Sequence, residues 1–168
     1  MPDIFELARP SYNMMLGYGQ KLVADVPDEQ MCAEPVPGQV MNHAAFILGH
    51  LAWVHDNRAG TLTGQTVGVA AKPEWKELFG MGAKPSTDRS RYPSKAELVK
   101  AFEESHARFG DAAAKATAET LAQPTPEPMR ARFPTVGHLV LGLMTSHFAT
   151  HLGQLSAWRR ALGFPSVF

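Results

Sequence analysis

The sequence feature that most constrains the fold is a long segment without an ordinary charge. Residues 133 to 158 contain no Asp, Glu, Lys or Arg, and Arg132 and Arg159 flank them. The segment also contains three histidines, a glutamine and several hydroxyl groups, and polar groups at such depths would be costly in lipid. We therefore expect a helix buried inside a soluble bundle rather than a membrane-spanning helix.

Helical periodicity appears in four segments of the chain. They cover residues 11 to 25, Val40 to Leu62, Ser94 to Leu121 and Thr135 to Gly163. Pro10 either begins the first helix or separates it from a shorter one over Ile4 to Arg9, since proline suits a first turn and breaks an interior. Ser94 and Glu97 form the pattern of a capping box at the start of the third helix.

Two connectors separate the first three helices. Residues 26 to 38 are rich in proline, and residues 65 to 93 form a longer connector with a predicted helical turn over residues 73 to 80. Connectors of this length in a compact domain are often functional, and the aromatic and aliphatic side chains here favour a lid. With four long helices and no convincing strand, the chain is predicted to be an all-α four-helix bundle and one domain over residues 1 to 168.

Paired histidines lie on the apolar stripe of the fourth helix. His147 and His151 are four residues apart, which separates them by only about 40° around a helix, so both imidazoles point into the bundle. On the second helix His50 lies in the middle of the apolar stripe and is our choice for a third metal ligand, with His43 as the alternative. Core histidines that only satisfy hydrogen bonds remain the competing interpretation.

Other residues of types that can bind metals or react are expected to have structural roles. Glu103 and His106 form one Glu-x-x-His unit, but di-iron bundles need two such units and further glutamates, so a solvated helix edge is expected. His55 and His138 are expected to be peripheral. Trp53 and Trp75 could line a pocket or pack in the core, and Cys32 is expected to be an inert thiol.

Composition excludes several classes of function. Sixteen basic and sixteen acidic residues give a formal net charge of zero without a basic stripe, which argues against nucleic-acid binding. The first ten residues carry acids and no apolar signal core, so secretion is not expected. A single cysteine rules out an internal disulfide framework and fits the cytoplasm.

Several motifs resemble the DinB-like family, also called the YfiT-like family. They are LGHL on the second helix, HFATHLGQLSAWRRALGFP on the fourth, and PEWKELFGMGAKP and RYPSKAEL between them. The resemblance implies an up-down-down-up bundle, frequent homodimers, and one divalent metal ion held by His50, His147 and His151. Characterised members include bacillithiol and mycothiol S-transferases and a mycothiol-dependent maleylpyruvate isomerase.

The expected metal site favours some classes of reaction over others but does not identify the substrate. Three neutral imidazoles leave Zn²⁺ or Ni²⁺ an open position, as catalytic sites require. Gln154 matches the family's glutamine and could orient a ligand or a metal-bound water, with helix packing as the alternative, and His43 could be a supporting group. Neither histidine helix supplies an interior carboxylate as general base, which favours a transferase that adds a low-molecular-weight thiol to an electrophile. A metal-dependent hydrolase and a non-catalytic metal-binding stress protein remain open alternatives.

Overall fold

The structure, a computed structural model, describes residues 4 to 167, and within them all regular structure is helical. The α-helices are α1 Ile4–Ala24, α2 Ala44–Thr63, α3 Pro73–Phe79, α4 Lys95–Lys115, α5 Ala118–Ala122, α6 Val136–Gly142 and α7 Phe148–Ala161. A π-helical turn, Leu143–His147, joins α6 to α7 into one long helix. The predicted all-α bundle is confirmed, and no helix in the described part of the chain is long and apolar enough to cross a membrane.

Contacts near both ends of α1 establish the directions of α4 and α7 relative to it. Arg9 donates to the carbonyl of Gly110, and Gln20 donates to Glu103, so α1 and α4 run antiparallel. At the other end of α1, Arg159 of α7 donates to the carbonyl of Leu22. Because the end of α1 lies against the end of α7, these two helices run parallel.

The remaining directions follow from the start of α2. The ring of His43, just before α2, packs against Tyr92, just before α4, so α2 and α4 run parallel. Asn42 donates to Gln154 near the end of α7, which makes α2 and α7 antiparallel. The four long helices therefore form the expected up-down-down-up bundle.

The helix ends follow their local sequence signals. Ser94 and Glu97 form the predicted capping box, and Thr135 caps α6 by accepting from the amide of His138. Gly64 ends α2 with a φ of 74°, a conformation that glycine adopts without steric cost. The predicted capping box is confirmed.

Three predicted helix boundaries differ from the observed ones. The third helix ends at Lys115 rather than Leu121, because Thr117 caps the separate short helix α5. The second begins at Ala44 rather than Val40, since His43 is extended and caps it. Pro10 neither begins nor divides α1, which runs through it with the ring exposed to solvent.

The long connector packs against α2 and α4 rather than extending into solvent. Asp56 of α2 is fully buried and binds both Arg108 of α4 and the amide of Val69 in the connector. Trp75 and Phe79 of α3 are buried and contact each other, which contributes roughly 2 kcal/mol of apolar burial for each ring. The connector is thereby anchored beside the middle of α2, where His50 lies.

Candidate metal centre

Three histidines from two helices converge at one point in the bundle. His50 comes from α2, His147 ends the π-helical turn, and His151 lies one turn further along α7. Each offers one ring nitrogen, and these three atoms lie within 4.8 Å of one another. The structure therefore brings together the three residues predicted as metal ligands, and the cluster could hold a metal ion.

The π-helical turn sets the register of His147 relative to α6. Such a turn inserts about one extra residue into the helix and is often found at functional sites. The hydroxyl groups of Thr145 and Ser146 donate to the carbonyls of Leu141 and Gly142, which gives backbone oxygens in this widened segment additional partners. The sequence contained no periodicity signal for this turn.

Neighbouring oxygens orient two of the three imidazole rings. Nδ1 of His50 donates to the carbonyl of Phe79 at 2.7 Å, and Nδ1 of His151 donates to Oε1 of Gln154 at 3.1 Å. In a neutral imidazole the second nitrogen, Nε2, then carries the free lone pair. Both rings are fixed in a tautomer that suits metal ligation through Nε2.

The third ring has a polar atom without a partner. Nδ1 of His147 is buried and forms no hydrogen bond with the described part of the chain. A buried polar atom left unpaired costs about 1–3 kcal/mol, so such an atom in a histidine cluster fits a site that binds an additional group. The residues present therefore fit a divalent metal ion.

All three histidines are neutral near pH 7. Burial lowers the pKa of His147 to about 3 and the pKa of His151 to about 4, with a smaller contribution from neighbouring imidazoles. Burial also lowers the pKa of His50. Metal ligation requires neutral imidazoles, so this environment keeps the cluster ready to bind a cation.

The three ring nitrogens would have to move slightly closer together to bind a small metal ion. Imidazole nitrogens bound at about 2.0–2.1 Å to a tetrahedral ion lie about 3.4 Å apart. The nitrogens here lie within 4.8 Å, so side-chain rotation would have to bring them closer. Three imidazole ligands would leave a four-coordinate ion with one further position for a substrate or water.

The histidine cluster forms part of the wall of a cavity of about 420 Å³. The apolar part of its wall includes Phe133, Leu139 and Leu143, and Met81 and Gly82 of the long connector also line it. No Asp or Glu is among the described residues that line it. The cavity is large enough for a small organic molecule beside the three histidines.

His43 does not join the cluster. It caps α2, with Nδ1 accepting from the amide of Phe46 at 3.2 Å and Nε2 donating to the carbonyl of Ser86 at 2.9 Å. Both ring nitrogens are thus hydrogen-bonded to backbone groups. The structure therefore does not support the alternative prediction that His43 is the third metal ligand. Gln154, by contrast, contacts His151 directly, which is the orienting contact expected of it.

Two histidines expected at the periphery or on a solvated edge are buried. His55 is fully buried and packs against Phe109, and His106 stacks on Tyr12 with ring centroids 3.8 Å apart. The hydrophobic stripe of α2 is wider than its central residues indicated, which is why His55 was misassigned. Glu103 binds Gln20 and forms no metal cluster with His106, while His138 is exposed as expected.

The remaining predicted residues divide between the cavity and the core. Trp53 lines the cavity, whereas Trp75 is buried against Phe79. Cys32 is buried, and burial raises the pKa of its thiol to about 11, so it is a protonated, unreactive thiol near neutral pH.

Two arginines in the cavity wall were not predicted from the sequence. Arg58 lies eight residues after His50 on α2, and Arg132 immediately precedes the charge-free segment. The cavity-lining positions of α2 are His50, Trp53, Val54, Asn57 and Arg58, a helical stripe that begins at the predicted ligand. Following that stripe from His50 would have identified Arg58.

Comparison with known proteins gives one family. The family model described as the DinB superfamily matches residues 18 to 155, which include all three clustered histidines. No curated protein matches the chain.

Proposed function

Because the chain belongs to the DinB superfamily, we propose that it is a metal-dependent transferase that joins a low-molecular-weight thiol to small electrophiles, with His50, His147 and His151 as the metal ligands. The observation that carries this proposal is the composition of the cavity wall. Three neutral imidazoles adjoin a space of about 420 Å³, and no carboxylate is among the described residues that line it.

A bound divalent ion supplies a Lewis acid that lowers the pKa of a thiol or a water molecule next to it. Zn²⁺ and Ni²⁺ both suit three imidazole ligands. The protein's own part is to hold the rings: the Phe79 carbonyl orients His50 and the Gln154 side chain orients His151. Such supporting contacts fix the tautomer of the ligand and strengthen it as a base.

The transfer reaction needs no general base in the cavity wall. The thiol loses its proton to solvent, its sulfur forms a bond to the electrophilic carbon, and the leaving group departs with its electron pair. Apolar side chains such as Leu139 and Leu143 exclude water from the reacting atoms. Hydrolysis by an activated water is less favoured, because enzymes of that type commonly use a carboxylate beside the metal.

The test is conjugation of a panel of small thiols to monochlorobimane by the metal-loaded protein, followed by fluorescence. A transferase shows turnover above the His147→Ala variant, with one thiol preferred. A hydrolase ignores the thiols and cleaves an activated ester instead, and a metal-binding protein does neither. The absence of acceleration by any thiol over the His147→Ala control would remove the proposal's main support.

A further inference from the structure

Two cationic side chains in the cavity wall have no acidic partner. Arg58 forms no ion pair or hydrogen bond with any described residue, whereas Arg108, Arg89 and Arg159 all bind carboxylates. The side chain of Arg132 likewise forms no ion pair or hydrogen bond with any described residue, and its guanidinium carbon lies 5.3 Å from the centroid of the Phe133 ring. Because a guanidinium group carries five donors in a fixed plane, an arginine without a partner in a cavity is available to a ligand.

Arg58 is held partly out of water. Its side chain is half-buried, and burial lowers the pKa of its guanidinium group. Arg58 also lines an adjoining small pocket with the apolar Leu62, Val136 and Leu139, and no acidic residue is among the described residues of that pocket. A charge kept in such surroundings without a counter-ion is unfavourable, and an anionic ligand would offset that cost.

Another donor without a partner belongs to a residue of the same cavity wall. The indole Nε1 of Trp53 is buried without a hydrogen-bond partner, and Trp53 and Asn57 both line the cavity between His50 and Arg58. The guanidinium groups of Arg58 and Arg132 therefore give the cavity wall N–H donors and positive charge, while its described lining offers no carboxylate to bind them. Donors of this kind match the oxygens of a carboxylate group.

From these contacts we infer that the cavity binds a carboxylate-bearing substrate, with Arg58 and Arg132 receiving the carboxylate and the apolar wall receiving the body of the molecule. This deepens the proposed function, and rests on it, by naming the charge of one reactant. The carboxylate belongs either to the thiol or to the electrophile, and the two sources are separable by experiment.

The first experiment measures binding and does not depend on turnover. Calorimetric titration of the purified full chain compares phenylacetate with phenylacetamide, a pair of nearly equal shape that differs in charge. We expect the wild type to bind phenylacetate about 10-fold more tightly, and the Arg58→Gln, Arg132→Gln double variant to retain at most about a threefold preference. Arg160→Gln removes an exposed arginine outside the cavity and keeps the wild-type preference.

Direct binding of the carboxylate to the metal is controlled within this design, because every variant keeps the three histidines. Arg132 is exposed, so Arg132→Gln alone serves if the double variant does not fold, and it should reduce the preference at least about twofold. An unchanged preference in the arginine variants, equal affinity for the two ligands, or no binding of either ligand would overturn the inference. Loss of transferase activity with the preference intact would contradict only the proposed function.

The second experiment assigns the carboxylate to one reactant. Alkylation of 2-mercaptoethanol is compared for iodoacetate and iodoacetamide, and alkylation by iodoacetamide is compared for 3-mercaptopropionate and 2-mercaptoethanol. In each reaction the sulfur–carbon bond forms as iodide leaves, and the thiol proton goes to solvent. We expect Arg132→Gln to lower kcat/KM for the carboxylate member of one pair and not for its neutral counterpart. Equal effects on both members of both pairs would contradict the inference.

Discussion

Nδ1 of His151 lies 3.1 Å from Oε1 of Gln154, and the same oxygen accepts from Nδ2 of Asn42 at 3.1 Å. Because Oε1 accepts both bonds, Nδ1 of His151 carries the hydrogen and Nε2 keeps its lone pair. A residue just before α2 is thereby linked to a proposed ligand on α7. The glutamine that follows the paired histidines acts on the orientation of the imidazole ring.

Removing this contact should weaken the metal site without unfolding the protein. We expect Gln154→Ala to lower metal affinity about 10- to 100-fold, as is typical when a group that orients a histidine ligand is lost. Gln154 is exposed, so the melting temperature of the metal-free protein should change little. Competition with a chromophoric chelator measures the affinity, with exposed Gln39→Ala as the matched control. Equal affinities for the two variants would show that Gln154 has no orienting role.

Gly49 of α2 should be required for stability, because the ring of Phe79 from the long connector packs directly against it. A Cβ atom at Gly49 would collide with the ring of Phe79, whose carbonyl accepts from His50. Gly49→Ala should therefore cost about 1–3 kcal/mol of unfolding free energy and also weaken metal binding. Gly153→Ala on α7 meets no atom within 4 Å and should be neutral or stabilising by up to about 1 kcal/mol. Urea unfolding of both variants checks this, and equal stabilities would contradict it.

Among the acidic residues, substitution of Asp56 should lower the free energy of unfolding the most. Its buried carboxylate binds Arg108 at 2.7 and 3.0 Å and the amide of Val69 at 2.7 Å. Asp56→Asn leaves Arg108 without its closest counter-ion and should lower the unfolding free energy by at least about 2 kcal/mol. Glu104→Gln, which removes an exposed carboxylate that also pairs with Arg108, should cost less than about 0.5 kcal/mol. A smaller loss in Asp56→Asn than in Glu104→Gln would refute this ranking.

Acid should destabilise the fold through histidines outside the proposed metal site. Burial lowers the pKa of His43 to about 4 and the pKa of His55 well below its ordinary value. The unfolded chain, with histidine pKa near 6.5, binds protons that the folded chain does not. The free energy of unfolding is therefore at its full value above about pH 6.5 and falls as pH decreases toward the folded-state pKa, by on the order of 2 kcal/mol at pH 5 for His43.

The contribution of His43 to acid sensitivity can be isolated by substitution. Asparagine is a good helix cap but does not titrate, so His43→Asn preserves the cap on α2 and removes the proton-linked loss. Urea unfolding at pH 7 and pH 5 in the presence of a chelator should show a smaller decrease for His43→Asn than for the wild type. An identical decrease in both proteins would argue against His43 as a contributor.

The positions of the proposed ligands were predictable because helical spacing determines which side chains share a face. His147 and His151 lie four residues apart, and His50 lies in the centre of an apolar stripe, so their convergence followed once a bundle was expected. The capping box at Ser94 was equally local, since both partners lie within one turn. Local interactions of this kind are predictable from the sequence because few distant contacts compete with them.

Features that depend on distant contacts were not predictable in this way. The carbonyl of Phe79 reaches His50 only because the connector folds back onto α2, and spacing within α2 contains no trace of it. His43 fits an apolar stripe but becomes a cap, since the amide of Phe46 and the carbonyl of Ser86 both use its ring. The burial of His55 and the π-helical turn at His147 likewise arise from packing among several helices.

The most direct test of the account is elemental analysis of protein produced without a histidine tag. We expect about one divalent ion per chain in the wild type, loss of the ion in His50→Ala and in the His147→Ala, His151→Ala double variant, and retention in His43→Ala. Circular dichroism shows whether each variant remains helical. Full occupancy in the double variant, or loss of the ion in His43→Ala with retention in His50→Ala, would contradict the proposed metal centre.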